Sequence, residues 1–268
     1  VTALGSALES KVCVKPSATE LEDVNWALNA SATFSNGCPA IGNFTVDNDT
    51  KTWRQTGITD WNLGAQWKPS TVPTIAKCVI VRTPVELPSL TTGTHGLAKS
   101  VIVKSGGKLM INPKSSLTIQ NYLKNEAAAS DVLVESDANL LQINNSSVNI
   151  GNITVKRNAN LKRLDYTYWG SPVAGQKLRS FSPATLNTRF YVYNEVNDYF
   201  DGIFVKNKYP TDGMYPTPTL SLTPVQPEAS YDFEKGKGYA VRASNALSNV
   251  LSSIPHSFVG VPNNGLAS

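Results

Sequence analysis

The stretch Val101-Ile102-Val103-Lys104-Ser105-Gly106-Gly107-Lys108-Leu109-Met110-Ile111, followed at once by Leu117-Thr118-Ile119, decides how this chain folds. Apolar residues alternate with others over three positions, a turn rich in Gly, Ser or Asn intervenes, and the pattern starts again. Alternation of this kind marks half-buried strands. The triplet recurs at Val79-Val81, Val132-Val134, Leu141-Ile143, Val148-Ile150 and Ile153-Val155. Short strands at such spacing fit a β-sandwich or a β-solenoid, in which each rung buries its inner face only by stacking on the next. The solenoid is favoured, because a meander of hairpins would carry more two-residue Asn-Gly or Asp-Gly turns. The steps Lys104-Ser105-Gly106-Gly107-Lys108-Leu109 and Glu135-Ser136-Asp137-Ala138-Asn139-Leu140 read as the same corner repeated, with small residues or residues tolerant of left-handed backbone where the chain turns tightly.

Outward from this segment, assigned to residues 77–160, the pattern changes on both sides. Residues 161–268 are rich in aromatics, among them Tyr166, Tyr168, Trp169, Phe181, Phe190, Tyr191, Tyr193, Phe204, Phe233 and Tyr239. They are read as an antiparallel β-sandwich with a Pro-studded loop over Tyr209–Pro227, since Pro cannot sit in a central strand. Residues 1–76 lack sustained periodicity and are read as a cap or small β subdomain, with a short helix over Leu21–Leu28 capped by Ser17 or Thr19. The fold class is all-β.

Composition narrows the function. Of 268 residues, 41% are hydrophobic and only 16% charged, and the net charge of +4 forms no dense basic cluster, so the footprint of a nucleic-acid binder is missing. No apolar run approaches the length of about 20 residues that crosses a bilayer as a helix, and the chain reads as a processed soluble product. Cys13 and Cys38 bracket a polar segment and suit a loop-closing disulfide in an oxidising compartment. Cys78, beside Val79, Ile80 and Val81, reads as a buried thiol or as an intermolecular bridge.

Catalytic material is sparse. His95, in a turn, and His256, at a strand edge, are read as exposed polar residues. Glu195, Asp198, Asp201, Asp232 and Glu234 are the carboxylates from which a glycoside hydrolase pair would have to be drawn, with a solvated strand face as the plainer reading. Asp47 and Asp49 offer oxygens that calcium favours, without the Gly and distal Glu of an EF-hand. No other cofactor is expected. Aromatics are the better lead: Trp53, Trp61 and Trp67, with Tyr199, Tyr209 and Tyr215 around the Pro-rich loop, are candidates for stacking on sugars, against the alternative that most are core.

Gly151-Asn152-Ile153-Thr154-Val155-Lys156-Arg157-Asn158, the run from Leu161 to Val173 with its Tyr168-Trp169-Gly170-Ser171-Pro172-Val173, Leu178 with Phe181-Ser182-Pro183, Gly236-Lys237-Gly238-Tyr239 with Val241-Arg242, and Gly260-Val261-Pro262-Asn263-Asn264-Gly265 together carry a resemblance. The sequence resembles surface and secreted proteins of Bacteroidetes, especially flavobacteria, exported by the type IX secretion system. The resemblance implies an extracellular or cell-surface location and an adhesin-like or structural role more than any chemistry. Nothing here resembles that family's C-terminal sorting domain, so the chain is expected to be a fragment or processed form, or to complete its last sandwich with a strand donated by a neighbour. The leading expectation is a structural or adhesive exoprotein that is not an enzyme and self-associates, possible fibre formation included; a carbohydrate-binding module with a glycan partner is the alternative.

Overall fold

The computed structural model describes residues 50–53, 57, 59–68, 70–89, 93–196, 198–208, 219–224 and 231–265, with the backbone alone for 205–208 and 219–224. The expected helix near Leu21, the Cys13–Cys38 pair, Asp47, Asp49, Tyr209 and Tyr215 all lie outside the described residues.

The alternating triplets form a β-solenoid of about four turns with three parallel faces. The first face stacks β1 (Thr50–Trp53), β4 (Cys78–Val81), β7 (Ser100–Val103) and β10 (Leu123–Asn125). The second stacks β2 (Thr59–Asp60), β5 (Pro84–Leu87), β8 (Lys108–Ile111), β11 (Val132–Val134) and β13 (Ile153–Leu161). The third stacks β6 (His95–Ala98), β9 (Ser116–Ile119) and β12 (Asn139–Gln142). A further short strand, β3 (Trp67–Lys68), pairs antiparallel with β1. The described residues between 50 and 68, read as part of a cap or small β subdomain, stack on the coils that follow and form the first described coil.

Stacking brings like residues together. Val79, Val101 and Leu123 are aligned on the first face, and Val85, Leu109 and Val132 on the second, all fully buried. At the corner between second and third faces Gly93, Lys114 and Asp137 all take positive φ, at 75°, 68° and 65°. A Cβ on Gly93 would lie 2.0 Å from the Lys114 carbonyl oxygen, which is why glycine opens this column. The two stretches read from the sequence as one repeated corner are different corners: Gly106 turns the chain from the first face to the second and Asp137 from the second to the third, and they share only a left-handed backbone.

Two expectations on the last coil fail. Leu141 and Ile143 are 51% and 53% exposed, and Val148 and Ile150 are exposed as well. The inward positions belong instead to Leu140, packed against the core, to Gln142, and to the buried Asn149. A solenoid must end its apolar column with satisfied polar groups, and here amides do so.

Beyond the coils, β13 runs on and pairs along its whole length, antiparallel, with β21 (Ser252–Pro262). At its far end β21 is joined by β15 (Val173–Ala174). Against this ribbon packs an antiparallel sheet in the order β14 (Tyr166–Trp169), β20 (Tyr239–Arg242), β16 (Phe190–Asn194), β17 (Tyr199–Gly202). A helical turn, α1 (Leu178–Phe181), and a hairpin of β18 (Val205–Lys208) with β19 (Thr219–Pro224) complete this sandwich-like part. Part of the expected Pro-rich loop is thus strand, with Pro224 at its end, where a missing N–H is tolerated. The core between the layers is aromatic: Phe181 stacks on Phe258 at 4.4 Å and meets Trp169 at 5.1 Å and Phe233 at 5.3 Å. One contiguous cluster joins these rings to the solenoid interior through Ile153 and Val155.

Candidate functional site: an outward aromatic sheet face

Strand alternation sorts the β14-β20-β16-β17 sheet into two unlike faces. Trp169, Tyr239, Val241 and Phe190 point inward and are buried. Cross-strand pairing places Tyr166 and Tyr168 with Ala240 and Arg242, Ala240 with Tyr191, and Tyr193 with Phe200 on the opposite, outer face. Five aromatic rings therefore share one outward surface, and Tyr168 is 69% exposed, Tyr166 and Tyr193 44% each, and Phe200 37%.

The rings gather above small residues. Strands β14 and β17 are the outer members of the sheet, about 14 Å apart at ordinary strand spacing, yet the Tyr168 and Phe200 rings approach to 6.1 Å. Tyr193 lies 5.3 Å from Phe200, and Tyr166 6.0 Å from Tyr191. Beneath the Tyr168–Phe200 contact the central strand β20 presents Ala240, and Gly238 lies just before its start, which leaves room for the rings to lean inward. A Cβ on Gly238 would meet nothing within 4 Å, and alternation from the inward Tyr239 directs it to the outer side.

The result is an open cleft of about 850 Å³ lined by Tyr168, Tyr193 and Phe200, by Asn194 and Glu195, and by the turn Glu234–Gly238. That turn is held from below: the buried Tyr239 hydroxyl accepts a hydrogen bond from the Glu234 backbone N–H at 3.1 Å, and burial pushes the Tyr239 phenol well above its usual range. Lys237 pairs with Glu234 at 3.2 Å, and Lys235 donates to the Asn264 carbonyl at 2.6 Å. At the cleft's rim the Tyr193 hydroxyl donates to the Asp198 carboxylate, a bond that raises the phenol's pKa. Burial raises that of Tyr166.

Flat rings with polar edges over a shallow floor are suited to stacking and hydrogen bonding with a polar, planar-faced ligand. Residues 52–268, which contain the whole described sheet and most of the solenoid, match a domain of unknown function, DUF8693. The chain belongs to the DUF8693 family. No curated protein and no solved structure matches it.

The residues expected to bind ligand in this DUF8693 chain are placed elsewhere. Trp53, Trp61 and Trp67 are wholly buried in the first coil, edge to face at 4.9 Å and 4.8 Å around Trp67, so they are core and not a binding surface. Trp67 Nε1 donates to the Trp61 carbonyl and Trp53 Nε1 to that of Pro84. Tyr199 is half-buried and pairs with Asn194 on the inward-facing register of β17. The spacing Tyr166-x-Tyr168 and Tyr191-x-Tyr193, each abutting a residue that alternation turns inward, is the signal that marks the outer face in sequence.

The polar candidates are likewise redistributed. Asp201 accepts from Asn194 Nδ2 at 2.9 Å and Asp232 pairs with Lys177 at 2.6 Å, while Glu195 and Glu234 line the cleft. His95 is exposed, but at the start of β6, where its Nδ1 lies 2.6 Å from Ser116 Oγ. His256 is not exposed: it is half-buried between Trp169 at 4.8 Å and Phe181 at 5.1 Å, beside a cavity of about 360 Å³, and burial lowers its pKa. Cys78 is half-buried at the head of β4, on the opposite side from the core residues Val79 and Val81. Among the described residues, no group of three or more His, Cys, Asp or Glu is placed to hold a metal, and no helix is long and apolar enough to cross a membrane.

Proposed function

We propose that this chain is an adhesive binding module of the bacterial cell exterior, which takes a carbohydrate chain on the outer aromatic face of its antiparallel sheet and uses the solenoid as a stiff support. The observation that carries the reading is the exposure of Tyr166, Tyr168, Tyr193 and Phe200 on one side of one sheet, above Ala240 and Gly238. Exposed apolar groups gathered on one surface mark interaction sites, and aromatic anchors dominate their energetics. The exterior location rests on the resemblance to type IX-exported proteins. A solenoid supports the role mechanically, because each coil is fixed by its neighbours.

The test is binding to an array of bacterial and plant polysaccharides, with hits measured by calorimetry. Tyr168→Ala and Phe200→Ala are each expected to weaken binding about tenfold or more, and Gly238→Leu, which fills the cleft without backbone strain, to abolish it at unchanged thermal stability. Wild-type affinity in all three variants overturns the reading.

A second reading, self-association, has its own observation. Leu141 and Ile143 are exposed on and just after β12, the last strand of the third face, which among the described residues has a strand neighbour on one side only. A second copy adding a strand at this edge would cover them. Sedimentation of the purified chain at high concentration decides it: reversible oligomers abolished by Leu141→Lys support this reading, and a monomer throughout removes it.

A further inference from the structure

The aromatic face is electrically lopsided. At its far end from the Glu234–Gly238 turn, Tyr166 pairs across the sheet with Arg242, and Arg189 donates to the Tyr191 hydroxyl at 3.3 Å, which itself donates to the Thr188 carbonyl. The Tyr166 and Tyr191 rings are 6.0 Å apart, so the two cations and the two rings form one cluster. At the cleft end the carboxylates outnumber the cations: Glu195, Asp198 and Glu234 against Lys235 and Lys237, of which Lys237 pairs with Glu234.

Neither arginine has a counter-ion among the described residues. Among the described residues the only acceptor on the Arg242 guanidinium is Asn245 Oδ1 at 2.7 Å, although the residue is only 9% exposed. The Nε atoms of Arg189 and Arg242 are both buried without a hydrogen-bond partner. A guanidinium carries five donors, and leaving them under-satisfied is costly at a position as buried as that of Arg242, whereas Arg189 is half-buried. The fold therefore keeps two under-satisfied cations beside two tyrosines, on the same face that bears the stacking rings.

We propose that the ligand is an acidic glycan, whose carboxylate or sulfate group is held at Arg189 and Arg242 while the neutral sugar faces stack on Tyr168, Tyr193 and Phe200. Planar forked donors match both anions in the same bidentate way. The proposal rests on the glycan-binding reading above and adds to it the charge of the ligand and its direction along the face.

The experiment compares four polymers by calorimetry: a polyuronate and its carboxyl-reduced neutral form, and dextran sulfate and dextran. Wild type is expected to bind at least one acidic polymer about tenfold or more tighter than its neutral counterpart, with affinity falling as salt rises. The first pair against the second shows whether carboxylate or sulfate is the group preferred. Arg189→Gln, at a half-buried position, is expected to erase that preference, with Arg189→Lys restoring part of it. Circular dichroism confirms that each variant is folded, and Arg242→Gln serves as the second variant. Equal binding of acidic and neutral polymers by wild type overturns this inference and leaves the glycan-binding reading standing. A preference that survives both substitutions also overturns it. Binding to none of the four, nor to the wider array, overturns both.

Discussion

Gln142 and Asn149 face each other as a reciprocal amide pair: Gln142 Nε2 donates to Asn149 Oδ1 at 2.9 Å and Asn149 Nδ2 donates to Gln142 Oε1 at 2.6 Å. The same Asn149 accepts from the Leu123 backbone N–H at 2.8 Å and donates to the Pro262 carbonyl at 3.0 Å. One buried side chain thus ties the last coil of the first face, the last strand of the third face and the C-terminal end of β21. Next to it, Asn264 Nδ2 donates to the carbonyls of Asn144 and Ser147, and Asn263 Nδ2 to that of Ser171. The Pro262–Gly265 run therefore fastens the solenoid end to the aromatic sheet, and the candidate site inherits its rigidity from this junction.

Asn149→Ala removes the hub and leaves the Leu123 N–H, Gln142 Oε1 and the Pro262 carbonyl without their Asn149 partner, while Gln142 Nε2 keeps the Asn121 carbonyl. Each orphaned group costs about 1–3 kcal/mol, so the variant is expected to lose about 2–4 kcal/mol in urea unfolding. Asn149→Asp keeps the acceptor for Leu123 and loses the donor to Pro262, and is expected to fall between the two. A loss under about 0.5 kcal/mol in Asn149→Ala would show that the junction carries no weight.

The same junction explains where sequence reading stops. Val79-Val81, Val101-Val103, Leu109-Ile111, Leu117-Ile119, Val132-Val134 and Ile153-Val155 are core rows because the apolar residues of each triplet point inward, where the next coil covers them. At Leu141-Ile143 and Val148-Ile150 the phase is reversed by one residue, and the inward members are Gln142 and Asn149. Alternation reveals a strand without saying which parity is inside. The parity was legible wherever apolar and inward coincide, and was not where the column ends in amides. The candidate site failed to show for the matching reason. Three tryptophans close together in sequence stand out, yet Trp53, Trp61 and Trp67 serve the core, whereas Tyr168 and Phe200 are distant in sequence and meet only because β14 and β17 flank the same two strands.

That division of labour between tryptophans and tyrosines is measurable. Trp61 is wholly buried, and its Nε1 has no partner. Trp61→Ala is expected to cost about 3–5 kcal/mol from the cavity it leaves. Trp61→Phe keeps much of the ring and discards an unsatisfied donor, so its cost is expected to stay under about 2 kcal/mol. Neither change touches the outer sheet face, and below their melting temperatures both variants are expected to bind polysaccharide as wild type does. Loss of binding in a folded Trp61→Phe would return these tryptophans to the binding surface.

His256 gives the aromatic layer a pH dependence. Its ring lies against Trp169 and Phe181, its Nδ1 sits 3.2 Å from the Ile254 carbonyl, and burial holds its pKa below the usual histidine value. In the unfolded chain the imidazole takes up its proton near pH 6.5, whereas the folded protein resists protonation until a lower pH. The unfolded state therefore binds more protons in that window, and stability falls with decreasing pH. The contribution is whole above about pH 6.5 and is lost as pH drops through the folded value, with a slope of at most about 1.4 kcal/mol per pH unit for one proton. Urea melts at half-unit steps from pH 7.5 to 4.5 are expected to show this decline in wild type and a shallower one in His256→Phe, which retains the stacking without the titration. Parallel curves for the two proteins across the window would mean that the imidazole is as free to protonate in the folded layer as in the unfolded chain.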